Sequence, residues 1–159
     1  LTMYLISGPV VVPDPALPEI VLPVDRLVLA KRLWRGVADD GAEFGFELEA
    51  PLRHGDAFWQ TRTTRYVVQQ RAEALVEISL DLAPSAAAGI GWAVGNLHLE
   101  LSAEPSRLLA LDEPAMRQLL GRLKVPFKPV VAIFRPGRFA RGNLPTQELG
   151  SSHRHESLC

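Results

Sequence analysis

The sequence contains a single cysteine, Cys159, and it is the last residue of the chain. One thiol cannot form an internal disulfide, and it cannot build the cysteine clusters that hold structural zinc or iron–sulfur groups. Any metal bound here must therefore rely on histidine and oxygen ligands. Histidine is scarce too, and the four are His54, His98, His153 and His155.

Neither positive nor negative charge predominates in the sequence. There are 17 Lys and Arg against 18 Asp and Glu, for a formal net charge of -1. These residues are scattered, so no broad field favours nucleic acid or an anionic membrane surface. No apolar run is long enough to span a bilayer, and the apolar residues 1–12 are followed by prolines rather than by a small-residue cleavage site. We expect a soluble, cytoplasmic protein that binds neither nucleic acid nor membrane.

Motifs of catalysis are missing as well. No histidine accompanies a recognisable serine or cysteine nucleophile, and there is no phosphate-binding Gly-rich loop, His-Glu-x-x-His helix or Gly-x-Gly-x-x-Gly fingerprint. The carboxylate pairs Asp39-Asp40 and Asp112-Glu113 have simpler roles in a turn and at a helix start. The sequence therefore predicts that the protein is not an enzyme.

What is present in the first half is short-strand material. Five prolines in residues 9–23 favour an extended opening arm. Residues 33–37 and 43–48 flank Asp39-Asp40-Gly41, a hairpin signal, and residues 62–70 form a further β-rich run. This pattern predicts a small all-β domain over residues 1–71.

The second half alternates strands with helices. Strands are predicted at 75–80, 98–102, 107–111 and 129–134, with helices at 84–94 and after Asp112. Asp112 offers an N-cap oxygen, and the second helix buries Met116, Leu119, Leu120 and Leu123. The order β-α-β-β-α-β predicts a ferredoxin-like domain over residues 72–142, followed by a flexible tail at 143–159. The predicted fold class is α+β, with a disordered C-terminal tail.

His98 is the candidate site residue of this half. It follows a helix stop at Gly95-Asn96, and in a strand with Leu97, Leu99 and Leu101 turned inward its imidazole points outward. Such a ring can be a metal ligand, an interface group or a surface histidine without a specific function. His153 and His155 are one residue apart in the tail and could chelate loosely, whereas His54 is a solvated turn residue.

Several short motifs occur in an order that resembles the urease accessory protein E family, the urease nickel metallochaperones. The resemblance extends over about residues 25–142 and does not depend on any single motif. The matching residues are Asp40-Gly41-Ala42-Glu43-Phe44-Gly45, Leu52-Arg53-His54-Gly55-Asp56, Val94-Gly95-Asn96-Leu97-His98, the helix at 116–123 and Phe134-Arg135-Pro136.

The resemblance implies a homodimer that binds Ni²⁺ as cargo and passes it through the accessory GTPase to the urease apoprotein. The family's interfacial histidine falls on His98, where a twofold axis would bring two imidazoles to one ion. His153 and His155 are implied as auxiliary metal ligands. Family members often have arginine at Leu97 and histidine at Ala93, so this chain departs from the pattern at both positions. Imidazoles also suit Zn²⁺ and Cu²⁺, which could bind in vitro.

The alternative is a non-catalytic adapter in which metal binding is incidental. In it, the domain at 1–71 binds a protein or peptide partner, together with the basic residues Arg135, Arg138 and Arg141.

Overall fold

The computed structural model describes residues 2–139 and the backbone of 147–148. It divides into two compact units, Leu1–Arg71 and Ala72–Cys159. Strands and helices both occur in the described residues, which confirms the predicted α+β class. Nowhere in the described ranges is a helix both long and apolar enough to cross a membrane.

The first unit is built from two three-stranded sheets, with strand orders β1-β4-β3 and β2-β6-β5. The opening segment is extended, as predicted, but it also supplies β1 and β2, which pair in parallel with β4 and β6. One helical turn, α1, was not predicted. The elements are β1 (Tyr4–Ile6), β2 (Glu19–Val24), α1 (Arg26–Leu29), β3 (Leu33–Val37), β4 (Glu43–Glu47), β5 (Ala57–Gln60) and β6 (Arg65–Gln70).

The predicted hairpin is β3 and β4, paired antiparallel. Its turn is closed by the Gly41 N–H, which donates to the Ala38 carbonyl at 2.8 Å, and Gly41 has φ +87°, a conformation that favours glycine. Phe44 and Phe46 are buried in an aromatic core, as their alternation predicts. Gly45, on the opposite side of β4, is buried as well, and a Cβ added there would lie 3.3 Å from the Met3 side chain.

The hairpin turn is fastened to β6 by one side-chain hydrogen bond. The Tyr66 hydroxyl donates to Asp40 Oδ2 at 2.7 Å. This bond is the main cause that lowers the pKa of the Asp40 carboxyl, and it raises the pKa of Tyr66. The ionised carboxylate is therefore the form that the fold stabilises.

Tyr66→Phe should lower the free energy of unfolding at pH 7 by about 1 kcal/mol, since Asp40 is exposed to solvent screening. The pKa of Asp40 is lowered by folding, so the bond contributes fully above the ordinary aspartate range and is lost as pH falls through the native pKa. Urea unfolding at several pH values measures this, with Tyr4→Phe as the control. A penalty that stays unchanged in acid would contradict the assignment.

The second unit contains a four-stranded antiparallel sheet of order β10-β7-β9-β8, with two helices in the connections. A separate two-stranded pair, β11 and β12, follows it. The elements are β7 (Glu73–Ser79), α2 (Pro84–Asn96), β8 (Ser102–Ala103), β9 (Arg107–Leu111), α3 (Pro114–Leu123), β10 (Lys128–Ala132), β11 (Arg138–Phe139) and β12 (Gln147–Glu148).

This sheet is covered on both faces. Successive residues of a strand point to opposite sides, so Val76 faces the helices while Leu75 faces away from them. The helix-side core is Val76, Ile78, Leu108 and Ala110 packed with Ile90, Val94, Met116, Leu119 and Leu120. On the other side Leu75 and Leu109 are covered by Phe134, which is fully buried.

Four predictions for this half are wrong in detail. The strand expected at 98–102 is reduced to β8, because residues 97–98 complete the end of α2. Asp112 does not cap α3; Glu113 holds the cap position, and Asp112 instead accepts two hydrogen bonds from Arg117 at 2.6 and 2.9 Å. Leu123 is 44% exposed rather than buried. The strand expected at 129–134 is β10, which ends at Ala132 and leaves Phe134 beyond it.

Candidate metal centre

The candidate site lies at the C-terminal end of α2. This helix starts with Pro84 in its first turn, where the missing N–H costs nothing, and it contains no charged residue. Ile90 and Val94 are buried against the sheet and fix the orientation of the helix. The helix stop predicted at Gly95-Asn96 is confirmed, since α2 ends at Asn96.

The end of α2 forms a Schellman motif. The His98 N–H donates to the Gly95 carbonyl at 2.9 Å, and the Leu99 N–H donates to the Val94 carbonyl at 3.2 Å. Both Leu99 and Val94 pack in the helix-side core, which supplies the apolar contact typical of this motif. His98 therefore occupies the position that most often carries glycine.

His98 has φ +57°, in the left-handed region that is strained for residues other than glycine. Its side chain is exposed, as predicted, although the reason is a helix cap and not an outward strand position. Leu97 was expected to be buried in that strand but is 43% exposed. Among the residues that the structure describes, nothing hydrogen-bonds or ion-pairs with the imidazole of His98, so its ring nitrogens are available to a ligand.

A complete metal site is not present within one described chain. No group of three or more His, Cys, Asp or Glu residues in the described part is arranged to hold an ion. Among the described residues His98 supplies one imidazole at this place, so further ligands would have to come from another molecule or from the side chains of residues 138–159, which are not described. His153 and His155 lie in that range, outside the described residues.

The outer face of α2, beside His98, is uncharged and contains one large apolar group. Trp92 is 71% exposed there. Its neighbours along the same face are small, and a Cβ added at Gly89 or Gly95 would meet nothing within 4 Å. A helix without charged residues on its solvent side is unusual for an exposed helix and is typical of one that another surface covers.

The chain after β10 returns to the neighbourhood of the candidate site. The Gly137 N–H donates to the Leu101 carbonyl at 2.9 Å, and Leu101 is three residues beyond His98. β11 lies beside β8, and β12 pairs with β11 so that Arg138 faces Glu148. The last described residue therefore belongs to a strand pair that adjoins the segment between His98 and β8.

The remaining candidates have other surroundings. His54 was predicted to be a solvated turn residue, but it is half-buried and its Nδ1 accepts a hydrogen bond from the Gln70 N–H at 3.0 Å. It is thus a structural residue of the first unit. Arg135 is half-buried, the side chain of Arg138 is not described, and Arg141 lies outside the described residues.

Ion pairs hold the sheet next to the site. Arg107 donates to Glu77 at 2.7 Å and also to Glu104, while Lys128 lies 3.2 Å from Glu77. The hydrogen bond from Arg107 is the main cause that lowers the pKa of the Glu77 carboxyl. These contacts join β7, β9 and β10, and they leave the Glu77 carboxylate engaged and not free to hold a metal.

Sequence patterns assigned residues 133–134 to the last strand and did not predict the contacts that the segment 133–137 makes. Phe134 and Gly137 are isolated residues without periodicity, so only the Phe-Arg-Pro motif marks this segment in the sequence. In the structure both are fixed, one by burial and the other by the hydrogen bond to Leu101.

Comparison with known proteins gives a consistent result. Residues 73–157 match the family model of the UreE urease accessory protein, C-terminal domain. The urease accessory protein UreE of Azorhizobium caulinodans is 30% identical over 91% of this chain and 69% of its own length. The urease accessory protein UreE of Rhodobacter capsulatus is 31% identical over 82% of this chain and 81% of its own length. That of Bifidobacterium longum subsp. infantis is 33% identical over 64% of this chain and 44% of its own length.

Proposed function

We propose, because this chain belongs to the UreE family of urease accessory proteins, that it binds Ni²⁺ as a homodimer and delivers it for assembly of the urease active site. The observation that carries the proposal is the exposed imidazole of His98 at the end of α2. The receiving molecules would be the accessory GTPase and the urease apoprotein. Nickel is the protein's cargo in this role and not a resident cofactor.

The outer face of α2 supports a dimer. It carries Trp92 beside glycine and alanine positions, which allow a second helix to approach closely, and no charge opposes its burial. A twofold contact presents the same surface from both copies. If two α2 helices pack side by side through this face and run in the same direction, their C-terminal ends meet. The two His98 residues then lie near the axis, and each copy needs to supply only one ring.

The helix end also favours a cation electrostatically. The C-terminus of a helix carries a partial negative charge from its last carbonyl groups, which stabilises positive charge placed there. His98 lies immediately beyond this end of α2. Two neutral imidazoles at two such ends would form an open, incompletely ligated site, from which a metal can be passed to a receiving protein.

His153 and His155 are proposed as auxiliary ligands, and the path of the chain supports this. His153 is five residues beyond Glu148, so a fully extended chain would place it within about 17 Å of β12. In this proposal residues 72–142 form the ferredoxin-like metal-binding domain, as the order β7, α2, β8, β9, α3, β10 supports, and residues 143–159 form the histidine-containing tail.

The proposal predicts a pH dependence of nickel binding. Imidazole must be neutral to donate its lone pair, and histidine in ordinary peptides titrates at about 6.5. With two imidazoles bound, affinity should fall by up to about 100-fold per pH unit well below that value. Equilibrium dialysis with Ni²⁺ from pH 8 to pH 5 measures it, with Zn²⁺ and Cu²⁺ in parallel. Affinity that does not change with pH would contradict histidine ligation.

A second candidate function, the adapter, is favoured by one observation in the first unit. The outer side of the β1-β4-β3 sheet exposes apolar side chains, Leu5 at 66%, Leu33 at 74% and Val37 at 55%. Exposed apolar groups that share a face are typical of surfaces that contact another protein. We therefore propose that residues 1–71 bind a protein or peptide partner. The two functions are separated by the His98 variants described in the Discussion.

A further inference from the structure

The outer face of the β1-β4-β3 sheet has a hollow at its centre, above Gly45. Gly45 lies in the middle strand, where it pairs with Leu5 of β1 and with Arg35 of β3. Residues that pair across neighbouring strands point to the same face of a sheet, so Leu5 and Arg35 lie on either side of Gly45. The glycine has no side chain of its own to fill the space between them.

The backbone at this position does not require glycine. Gly45 lies within regular strand pairing and is not one of the glycines with positive φ, such as Gly41. Glycine inside a strand weakens it and often marks a place where another group approaches closely. The end of the Met3 side chain occupies the hollow, 3.3 Å from where a Cβ would be. Methionine is flexible and Met3 is 42% exposed, so it can move aside for another apolar group.

The hollow adjoins a cavity of about 530 Å³ at the end of β1. The cavity is lined by Leu5, Ser7, Arg32, Glu47, Leu48 and Glu49. Leu5 borders both the hollow and the cavity. Glu47 and Glu49 are exposed, whereas Leu48 between them is buried, so both carboxylates lie on the same side of the chain.

The charged groups of the cavity are available to a ligand. Of the residues that the structure describes, none forms a hydrogen bond or an ion pair with the side chain of Arg32, Glu47 or Glu49. Two carboxylates and one guanidinium give the cavity one excess negative charge. The surface is therefore complementary to an apolar group above Gly45 and to a cation beside the two carboxylates.

We infer that the hollow and the cavity, here together called the β4 groove, bind an extended segment of a partner protein that carries an apolar side chain and, two residues away, a lysine or arginine. Alternate side chains of an extended chain share one face and are about 7 Å apart, which is also the spacing from Gly45 to Glu47 along β4. The apolar side chain takes the place of Met3, and the cation lies beside Glu47 and Glu49. This inference rests on the second candidate function, the binding of a partner by residues 1–71.

The test uses the full chain and three fluorescent heptapeptides with a serine and threonine background. The first carries leucine and arginine two residues apart, and the second has glutamate in place of that arginine. The third has arginine directly after leucine, on the opposite face of an extended chain. Fluorescence anisotropy should show binding of the first with a dissociation constant on the order of 100 μM, about tenfold weaker binding of the second and about fivefold weaker binding of the third.

Variants of the β4 groove locate the two contacts. Gly45→Val fills the hollow and should weaken binding of the first peptide by about tenfold, because its leucine is no longer buried. Glu47→Gln/Glu49→Gln removes both charges without a change in size. It should weaken the first peptide by about fivefold and abolish the preference for arginine over glutamate. Circular dichroism establishes that each variant is folded, and the glutamine pair keeps the test decisive if Gly45→Val does not fold.

Glu43→Gln is the matched control for the charge change. Glu43 is also two residues from Gly45 on β4, but it lies on the side away from the cavity. Binding of the first peptide to this variant should stay within about twofold of the parent value. If Glu43→Gln weakens the peptide as much as the glutamine pair does, the cation is not held at the cavity and the inference fails.

Other contrary results separate the inference from the function on which it rests. If the three peptides bind alike but lose affinity with Leu33→Ser/Val37→Ser, this sheet face binds peptides without the selectivity of the β4 groove; the inference fails and the second candidate function stands. If no peptide binds the parent chain, both fail together. Nickel delivery is tested by the His98 variants and does not depend on either result.

Discussion

His98→Ala should weaken nickel binding of the dimer by on the order of 100-fold or more and abolish activation of urease. The substitution removes both imidazoles of the proposed twofold site at once, because each copy supplies the same residue. The fold should be unaffected, since the side chain is exposed and makes no contact that the Schellman motif needs. Isothermal titration with Ni²⁺ and a urease activation assay measure the two effects.

His98→Gly is the informative companion. Glycine adopts φ +57° without strain, so the folded chain gains about 1–2 kcal/mol at this position, partly offset by the greater freedom of glycine in the unfolded state. We expect a net gain of about 0.5–1 kcal/mol in the free energy of unfolding together with the same loss of nickel. A chain that is more stable and yet metal-free would show that the defect is chemical.

One outcome would count against the metallochaperone and another against the local geometry. If His98→Ala retains stoichiometric nickel and still activates urease, metal binding does not depend on this residue and the adapter function is favoured. If His98→Gly loses stability, the left-handed backbone at this position is not strained as the structure indicates. The pair thus tests the ligand and the local geometry independently.

Trp92→Glu should convert the dimer to a monomer, with an increase in the dimer dissociation constant of at least about 100-fold. An indole at the centre of a symmetric contact is the kind of group that contributes most to such an interface, and a carboxylate in its place would meet its own copy. The monomer should remain folded, with a change in stability within about 0.5 kcal/mol, because Trp92 is 71% exposed.

Sedimentation equilibrium measures the association, and nickel titration follows on the same samples. The proposed site needs one imidazole from each copy, so Trp92→Glu should lose tight nickel binding although His98 is intact. Val131→Glu places the same charge on an equally exposed residue of β10 and should leave the dimer unchanged. A Trp92→Glu chain that stays dimeric would show that α2 does not form the interface.

The parts of the fold that sequence patterns predicted are those in which local chemistry and packing agree. The hairpin was predicted from Asp39-Asp40-Gly41 because only glycine readily takes the positive φ found there. α3 was predicted from Met116, Leu119 and Leu120, whose helical spacing matches their burial.

The candidate site was located from the sequence, but its geometry was not. Leu97, Leu99 and Leu101 alternate with polar residues as in a short strand. The residue after a helix end in this motif is usually glycine, and because it is His98 here, the sequence did not indicate a helix cap. The covering of the sheet by Phe134 was missed because a single aromatic residue has no period, and its burial depends on strands that are distant in the sequence. Long-range contacts of this kind leave no local signal for pattern reasoning to find.

The double covering of the sheet in the second unit decides how the protein can be dissected. A fragment that stops after β10 would expose Leu75 and Leu109 to water on a broad flat surface. Such surfaces associate with one another, and the oligomers that result could be mistaken for a functional assembly. Any excised fragment of the second unit should therefore extend through Gly137, so that Phe134 continues to shield these two leucines from solvent.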